Sequence, residues 1–360
     1  MREFANRFLG RGDATIAVPS FDGALKPNQK LEEAEILFEC AAPEDLTTDG
    51  RAIYLADGPR LLQLDGGAAT QLRVFEAPIS ALASLPGGAF AVALGGREVR
   101  IFAEPSAAKP RTIFAAGLNA VNALAPAPGG MLIATDGSLT RGVNDWACDL
   151  MEHGGSGRLL MLDPATESSK ALASGLGYAF GCCATDDGAL VAESWRHRLI
   201  EVRRDGSNTV ALPHLPVYPS RLSPASPGGY WLTAFTARSL LIEFVLRERA
   251  FRTRMMAEIE PQYWIAPRLR SGNSFKEPMQ GAHIKTMGVV KPWAPPRSYG
   301  LVIRLGADGA PLYSLHSRVD GVNHGVVSAI EFNGDLIMIA KGPGRILKLP
   351  IAPLDKELGL

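Results

Sequence analysis

A six-bladed β-propeller, an all-β fold, is what this sequence predicts, and three observations predict it. The first is a recurring unit: a Pro- or Ala-led apolar strand enters a glycine turn and is followed by two more strands, six times over, with turn glycines at Gly50, Gly88, Gly130, Gly188, Gly229 and Gly334. The second is the period. The first five of these glycines stand 38, 42, 58 and 41 residues apart, close to one propeller blade, and the last gap of 105 must contain an insertion. The third is punctuation: apolar runs of four to six residues, rich in Leu, Ile and Val, are stopped by Gly, Asp, Asn or Pro, which is strand and turn chemistry. A β-sandwich has a similar spacing of turns but does not need a sixfold repeat. A four-stranded sheet with two apolar faces cannot bury both alone, and stacking such sheets about an axis hides them.

Taken in order, residues 1–36 form a leader able to supply a ring-closing segment, in which LEEAEILFEC reads equally as a strand or a short helix. The propeller is expected over 37–350, with a tail at 351–360. Blades one, two and three begin at PEDLTTDG, PISALASLPGG and NAVNALAPAPGG. Blade three carries a polar, Gly-rich insertion, SLTRGVNDWACDLMEHGGSG, whose Trp146 and His153 suit a lid or rim segment better than a core. Residues 157–202 read as one four-stranded meander, and within them WRHR at 195–198 is expected to be a structural turn. Blade five is read from YPSRLSPASPGGYWLTAFTARSLLIEF, interrupted by an insertion at about 247–298 and completed by YGLVIRLGADGAPLYSLHS. The insertion predicts an amphipathic helix ended by Pro261 and then a Pro-rich irregular loop. Met255, Met256, Tyr263, Trp264 and Trp293 make it a cap over one mouth of the ring, or a gate or docking surface for a protein or membrane. SAIEFNGDLIMIAKGPGRILKL closes the ring as blade six.

Composition narrows the function. The 37 basic and 37 acidic residues cancel, and no Lys/Arg run exceeds two residues, which argues against nucleic acid or an anionic membrane surface as a partner. No apolar run approaches a membrane span, and MREFANRFLGRGDATIAVP has no apolar signal core. Cys40, Cys148, Cys182 and Cys183 are expected to be buried reduced thiols, so a cytoplasmic location is expected. There is no CxxC, HExxH, G-x-S-x-G or phosphate loop.

With six blades assigned, PEDL, NAVNALAPAPGGMLIATDGS, GRLLMLDP, YAFGCCATDDGALVAES and LPVYPSRLSPASPGGYWLTAF resemble the strictosidine-synthase-like family, within the wider gluconolactonase, senescence-marker and paraoxonase superfamily. The resemblance covers about 38–350. It implies a small-molecule site at one mouth of the axis, and in the lactonase branches a calcium-type ion held by one Glu and several Asn or Asp. The Glu falls on Glu44 and the first Asn on Asn122, while the second Asn position holds Phe180 and the Asp-Asn pair reads Ser220-Arg221. With half of that ligand set replaced, the expectation is no cofactor, a divalent metal on Glu44 and Asn122 being the alternative. The alkaloid-forming branch implies a catalytic Glu near Val327, four residues before Glu331.

The resulting expectation is an ester or lactone hydrolase, the alternatives being a metal-free condensing enzyme or a non-catalytic binder. Glu44, Arg221 and His324 are the candidate catalytic residues, Arg221 holding an oxygen and Glu44 or His324 moving a proton. Asn122, Phe180, Ser220, Asn323, Trp146 and Tyr178 are the candidate substrate contacts.

Overall fold

The computed structural model describes residues 18–271, 297–358 and the backbone of two short strands, Lys285–Thr286 and Val289–Val290. Six four-stranded antiparallel sheets follow one another around an axis. Their innermost strands are Pro43–Thr48, Ile79–Ser84, Val121–Ala127, Ala179–Thr185, Val217–Pro224 and Val326–Phe332. Each touches the next, and the sixth touches the first.

Of the turn glycines, Gly50, Gly88, Gly130, Gly229 and Gly334 have φ between 75° and 91°, a region that costs other residues about 1 kcal/mol or more. Gly188 has a different reason: a Cβ there would lie 2.0 Å from the Val202 carbonyl oxygen. The core lies between blades. Ala81, Ala91 and Ala93 of blade two pack on Leu132, Leu160 and Leu162 of blade three. Trp231 and Tyr313 of blade five meet Leu336, Met338 and Leu347 of blade six.

The ambiguous leader segment is a strand. Glu35–Glu39 pairs antiparallel with Arg345–Pro350 as the outermost strand of blade six, so the ring closes with strands from opposite ends of the propeller, and the boundary expected at 36 falls inside this strand. Leu31 N–H to His316 O, 3.1 Å, and Asn28 Nδ2 to Ser314 O, 2.7 Å, pin the preceding residues to blade five. At the other end, Ile351–Leu358 is a helix.

Three expectations change. Residues 157–202 are not one meander: Gly157–Asp163 and Ser168–Leu176 are the outer strands of blade three, and blade four begins at Ala179. The run SLLIEF is not a strand of blade five but the start of the helix Leu240–Arg247. Ser239 caps that helix, and Ile242, Val245 and Leu246, at helical spacing, are its buried face. The insertion therefore begins near 238 and holds two helices, the second being Arg249–Glu258, with Pro261 opening a 3-10 turn. Trp293 lies outside the described residues. Of the four cysteines, Cys182 and Cys183 are buried, whereas Cys40 and Cys148 are partly exposed, and all four are free thiols. No described helix is long and apolar enough to cross a membrane.

Candidate functional site

In every blade, pairing between the first two strands slips near the start of the innermost strand. The skipped residues are Glu44, Ser80, Asn122, Phe180 with Gly181, Ser220 with Arg221, and Val327. A β-bulge re-aims a side chain and leaves backbone groups outside the ladder. Six bulges at one level thus turn six places toward the axis and free their carbonyls there.

Arg221 uses those carbonyls. Its Nε donates to Asn122 O (3.0 Å), Nη1 to Glu44 O (2.8 Å) and Val327 O (3.3 Å), and Nη2 to Ser80 O (2.8 Å) and Glu44 Oε1 (3.3 Å). Its guanidinium carbon lies 5.3 Å from the centre of the Phe180 ring, a cation–π distance. One side chain from blade five thereby touches all five other blades. Asp45 Oδ1 stands 3.3 Å from Nε and also accepts from the Leu46 amide and the Ser328 hydroxyl, while Oδ2 accepts from the Leu82 amide.

Two axial spaces meet at this plug. The first is narrow, with a free volume of about 30 Å³. Glu44, Asn122 and Lys341 form its polar side, and Trp146, Tyr178, Phe180, Trp195 and Phe235 its aromatic side. The second, at the opposite mouth, is lined by Asp45, Cys182, Arg221 and Glu331 among others.

The aromatic wall is built by stacking. Tyr178 lies on Trp195 with ring centres 4.5 Å apart, and Trp146 meets Phe235 edge-on at 5.3 Å. Tyr178 adopts φ 58°, uncommon for a residue with a Cβ, and its carbonyl accepts from the Ser194 amide at 3.2 Å. Trp195 Nε1 donates to Asp149 Oδ1 at 2.6 Å, tying this wall to the lid helix Trp146–Met151. His153 of the same lid binds Leu246 O at 2.7 Å and so joins the two insertions.

On the polar side, the Glu44 carboxylate is ion-paired with Lys341 as well as Arg221. Burial pushes this carboxyl up, but Lys341 and Arg221 together outweigh it and hold it below the usual range. Burial pushes the Tyr178 phenol up. Asn122 Nδ2 donates to Ala179 O at 3.0 Å. It leaves no room for a side chain at Gly137, where a Cβ would lie 2.3 Å from that nitrogen.

The structure gathers Glu44, Asn122, Phe180, Trp146 and Tyr178 in one pocket, and separates the rest. Arg221 lies beneath the pocket with all five N–H donors spent, so it has none left for a substrate oxygen. Ser220 is buried against Thr233 Oγ1 (2.8 Å) and Val326 O (3.1 Å). Asn323 is turned to Leu31 O (2.8 Å). His324 is held between the Ser298 hydroxyl (2.7 Å) and Arg318 O (2.8 Å), and burial pushes its imidazole below the ordinary value. Both ring nitrogens of His324 are thus engaged by its own chain, and His324 does not line the pocket.

Lys341 and Trp195 were not among the expected contacts. Arg196 and Arg198 do build a turn, on the buried Glu193 carboxylate, yet Trp195 in that turn faces the pocket. A positional rule would have found both: this mouth is where second strands hand over to third strands, as at 193–198 and 340–345.

The two positions left for an ion do not fit one. Asn122 and Glu44 present their carbonyls to Arg221, and a divalent ion on the axis would sit against a guanidinium. Val327, where the condensing branch implies a Glu, does face the pocket and is apolar.

Comparison with known proteins gives the following. The strictosidine synthase family model matches residues 122–201. The mouse adipocyte plasma membrane-associated protein is 28% identical over 282 residues, 68% of this chain and 66% of that protein. The bovine protein of that name is 27% identical over 361 residues, 89% of this chain and 79% of it. Among solved structures, a Xanthomonas campestris gluconolactonase is similar with a TM-score of 0.55 at 13% identity, over 89% of this chain and 91% of that one. The calcium-binding protein regucalcin from Agrobacterium tumefaciens gives 0.53 at 12%, over 88% and 92%. At these identities the two structures speak for the fold.

Proposed function

We propose, on the premise that this chain belongs with the strictosidine-synthase-like propellers of the gluconolactonase, senescence-marker and paraoxonase superfamily, that it hydrolyses small apolar esters or lactones. The observation that supports this is the two-sided pocket, with five aromatic rings facing a Glu44–Lys341–Asn122 edge. The rings would take an apolar acyl or aryl body. The Lys341 ammonium, next to the carboxylate, would polarise the carbonyl oxygen, the role expected of Arg221. Glu44, ionised at neutral pH, would accept a proton from the attacking water and return it to the departing alkoxide oxygen as the acyl C–O bond breaks, and Asn122 would orient the ligand.

The test is turnover of a panel of aryl esters and lactones by wild type, Lys341→Ala and Glu44→Gln. Loss of one such donor costs about 10²–10³ in rate, so Lys341→Ala should fall by that factor. Full turnover in both variants refutes the assignment. A second reading, a non-catalytic binder, is favoured by the commitment of every Arg221 donor to the protein. In that case ligands raise the melting temperature and none is consumed.

For the insertion we propose contact with a membrane surface through its apolar side chains. Leu240, Phe244, Phe251 and Ile259 are exposed there, an apolar group of side chains that suits an interface. The relatives' name, membrane-associated, points the same way. Co-sedimentation with phosphatidylcholine vesicles, lost in Phe244→Asp/Phe251→Asp, is the expected result, and equal binding by that variant refutes it.

A further inference from the structure

We infer that Arg221 is a built-in axial cation: its guanidinium holds the six blades as a bound ion would, and emptying its place creates a binding site for a free guanidinium or a divalent cation. Four oxygens that the bulges free from the ladders, on Glu44, Ser80, Asn122 and Val327, converge on this one group. They come from four separate blades. Two carboxylates, Glu44 and Asp45, stand at 3.3 Å from it, and the face of Phe180 closes the remaining side. Backbone carbonyls and carboxylates are hard oxygen donors, the set a cation needs in place of its hydration shell. A guanidinium supplies the same positive charge with five N–H groups in a fixed fork, and keeps it across the physiological pH range.

The assignment explains three features together. The bulges free their carbonyls at one level, where without a cation they would be buried acceptors lacking donors. Phe180 can stand where the resemblance implies a second Asn ligand, because an aromatic face satisfies a guanidinium and cannot ligate calcium. Asp45 can be buried here because Arg221 and three protein donors meet it. The charge that an ion would bring is thus already covalently present.

The test is thermal denaturation of wild type, Arg221→Ala and Arg221→Lys in matched concentrations of sodium, guanidinium and calcium chloride, with and without chelator. Wild type should melt at one temperature in calcium and in chelator. Arg221→Ala should melt lower in sodium, and 50 mM guanidinium, at a dissociation constant of a few millimolar, should restore about 2 °C. Calcium should raise its melting point as well, reversibly with chelator. Arg221→Lys, which keeps the charge but offers three donors to this set of acceptors, should melt below wild type. It decides the matter if the alanine variant does not fold. A wild-type melting point that rises with calcium overturns the inference. So does a lysine variant as stable as wild type, or an alanine variant that folds and responds to neither cation.

Discussion

Replacing Trp195 by phenylalanine isolates one hydrogen bond under the pocket wall. Asp149 is 1% exposed, and Trp195 Nε1 at 2.6 Å is the donor to its Oδ1, while Oδ2 has no partner among the described residues. Phenylalanine keeps a ring against Tyr178 and removes that N–H. A buried charged acceptor left without its donor costs about 1–3 kcal/mol or more, and the smaller ring adds about 1 kcal/mol. The sum is about 2–4 kcal/mol, a fall of about 3–5 °C at roughly 1.3 °C per kcal/mol for a chain of this size. Urea and thermal denaturation of the single variant and of Trp195→Phe/Asp149→Asn measure it. The second substitution should recover the larger part, because an amide no longer carries a charge that needs the donor. A single variant within 0.5 kcal/mol of wild type, or a double variant no more stable than the single, refutes the reasoning.

Two further predictions concern glycine and histidine. Gly137→Ala would place a Cβ 2.3 Å from Asn122 Nδ2 and 3.1 Å from the Tyr178 ring. Overpacking of this kind costs about 1–3 kcal/mol, and it should weaken ligand binding with no pocket side chain replaced; unchanged stability and affinity would count against the geometry. Burial and then the charge of Arg238 push His197 down to about 4, and burial and then Arg318 do the same to His316. Both imidazoles are therefore neutral when folded. Their contribution is intact above the unfolded value near 6.5 and is lost as pH falls from there toward 4, by on the order of 1–3 kcal/mol each. His316→Gln, less stable at pH 7, should close the gap to wild type as pH falls to 4, and parallel curves for the two proteins would contradict this.

The blades were legible because a tight turn has few chemical solutions, and positions such as Gly50 and Gly229 announce theirs. The bulges were not. A slip of one residue, as between Pro43 and Asp45, leaves composition and alternation nearly unchanged, yet it decides that Glu44 faces one space and Asp45 the other. The direction of Arg221 depends on a slip of its own, between Pro219 and Leu222, so its place beneath the pocket could not be read from neighbouring residues. SLLIEF was misread because a short apolar run fits strand and helix alike. The spacing of Ile242, Val245 and Leu246, behind Ser239, was the available signal. Ser220, Asn323 and His324 were expected in the pocket because polar residues near inner strands suit binding, and each instead meets a backbone acceptor of its own chain.

The pairing of Glu35–Glu39 with Arg345–Pro350 has a consequence for biosynthesis. During translation Glu35–Glu39 must wait, unpaired, until Arg345–Pro350 leaves the ribosome, and for that interval its neighbour-to-be is missing. A circular permutant that carries this strand behind blade six would shorten the wait to seconds while leaving the finished circle the same.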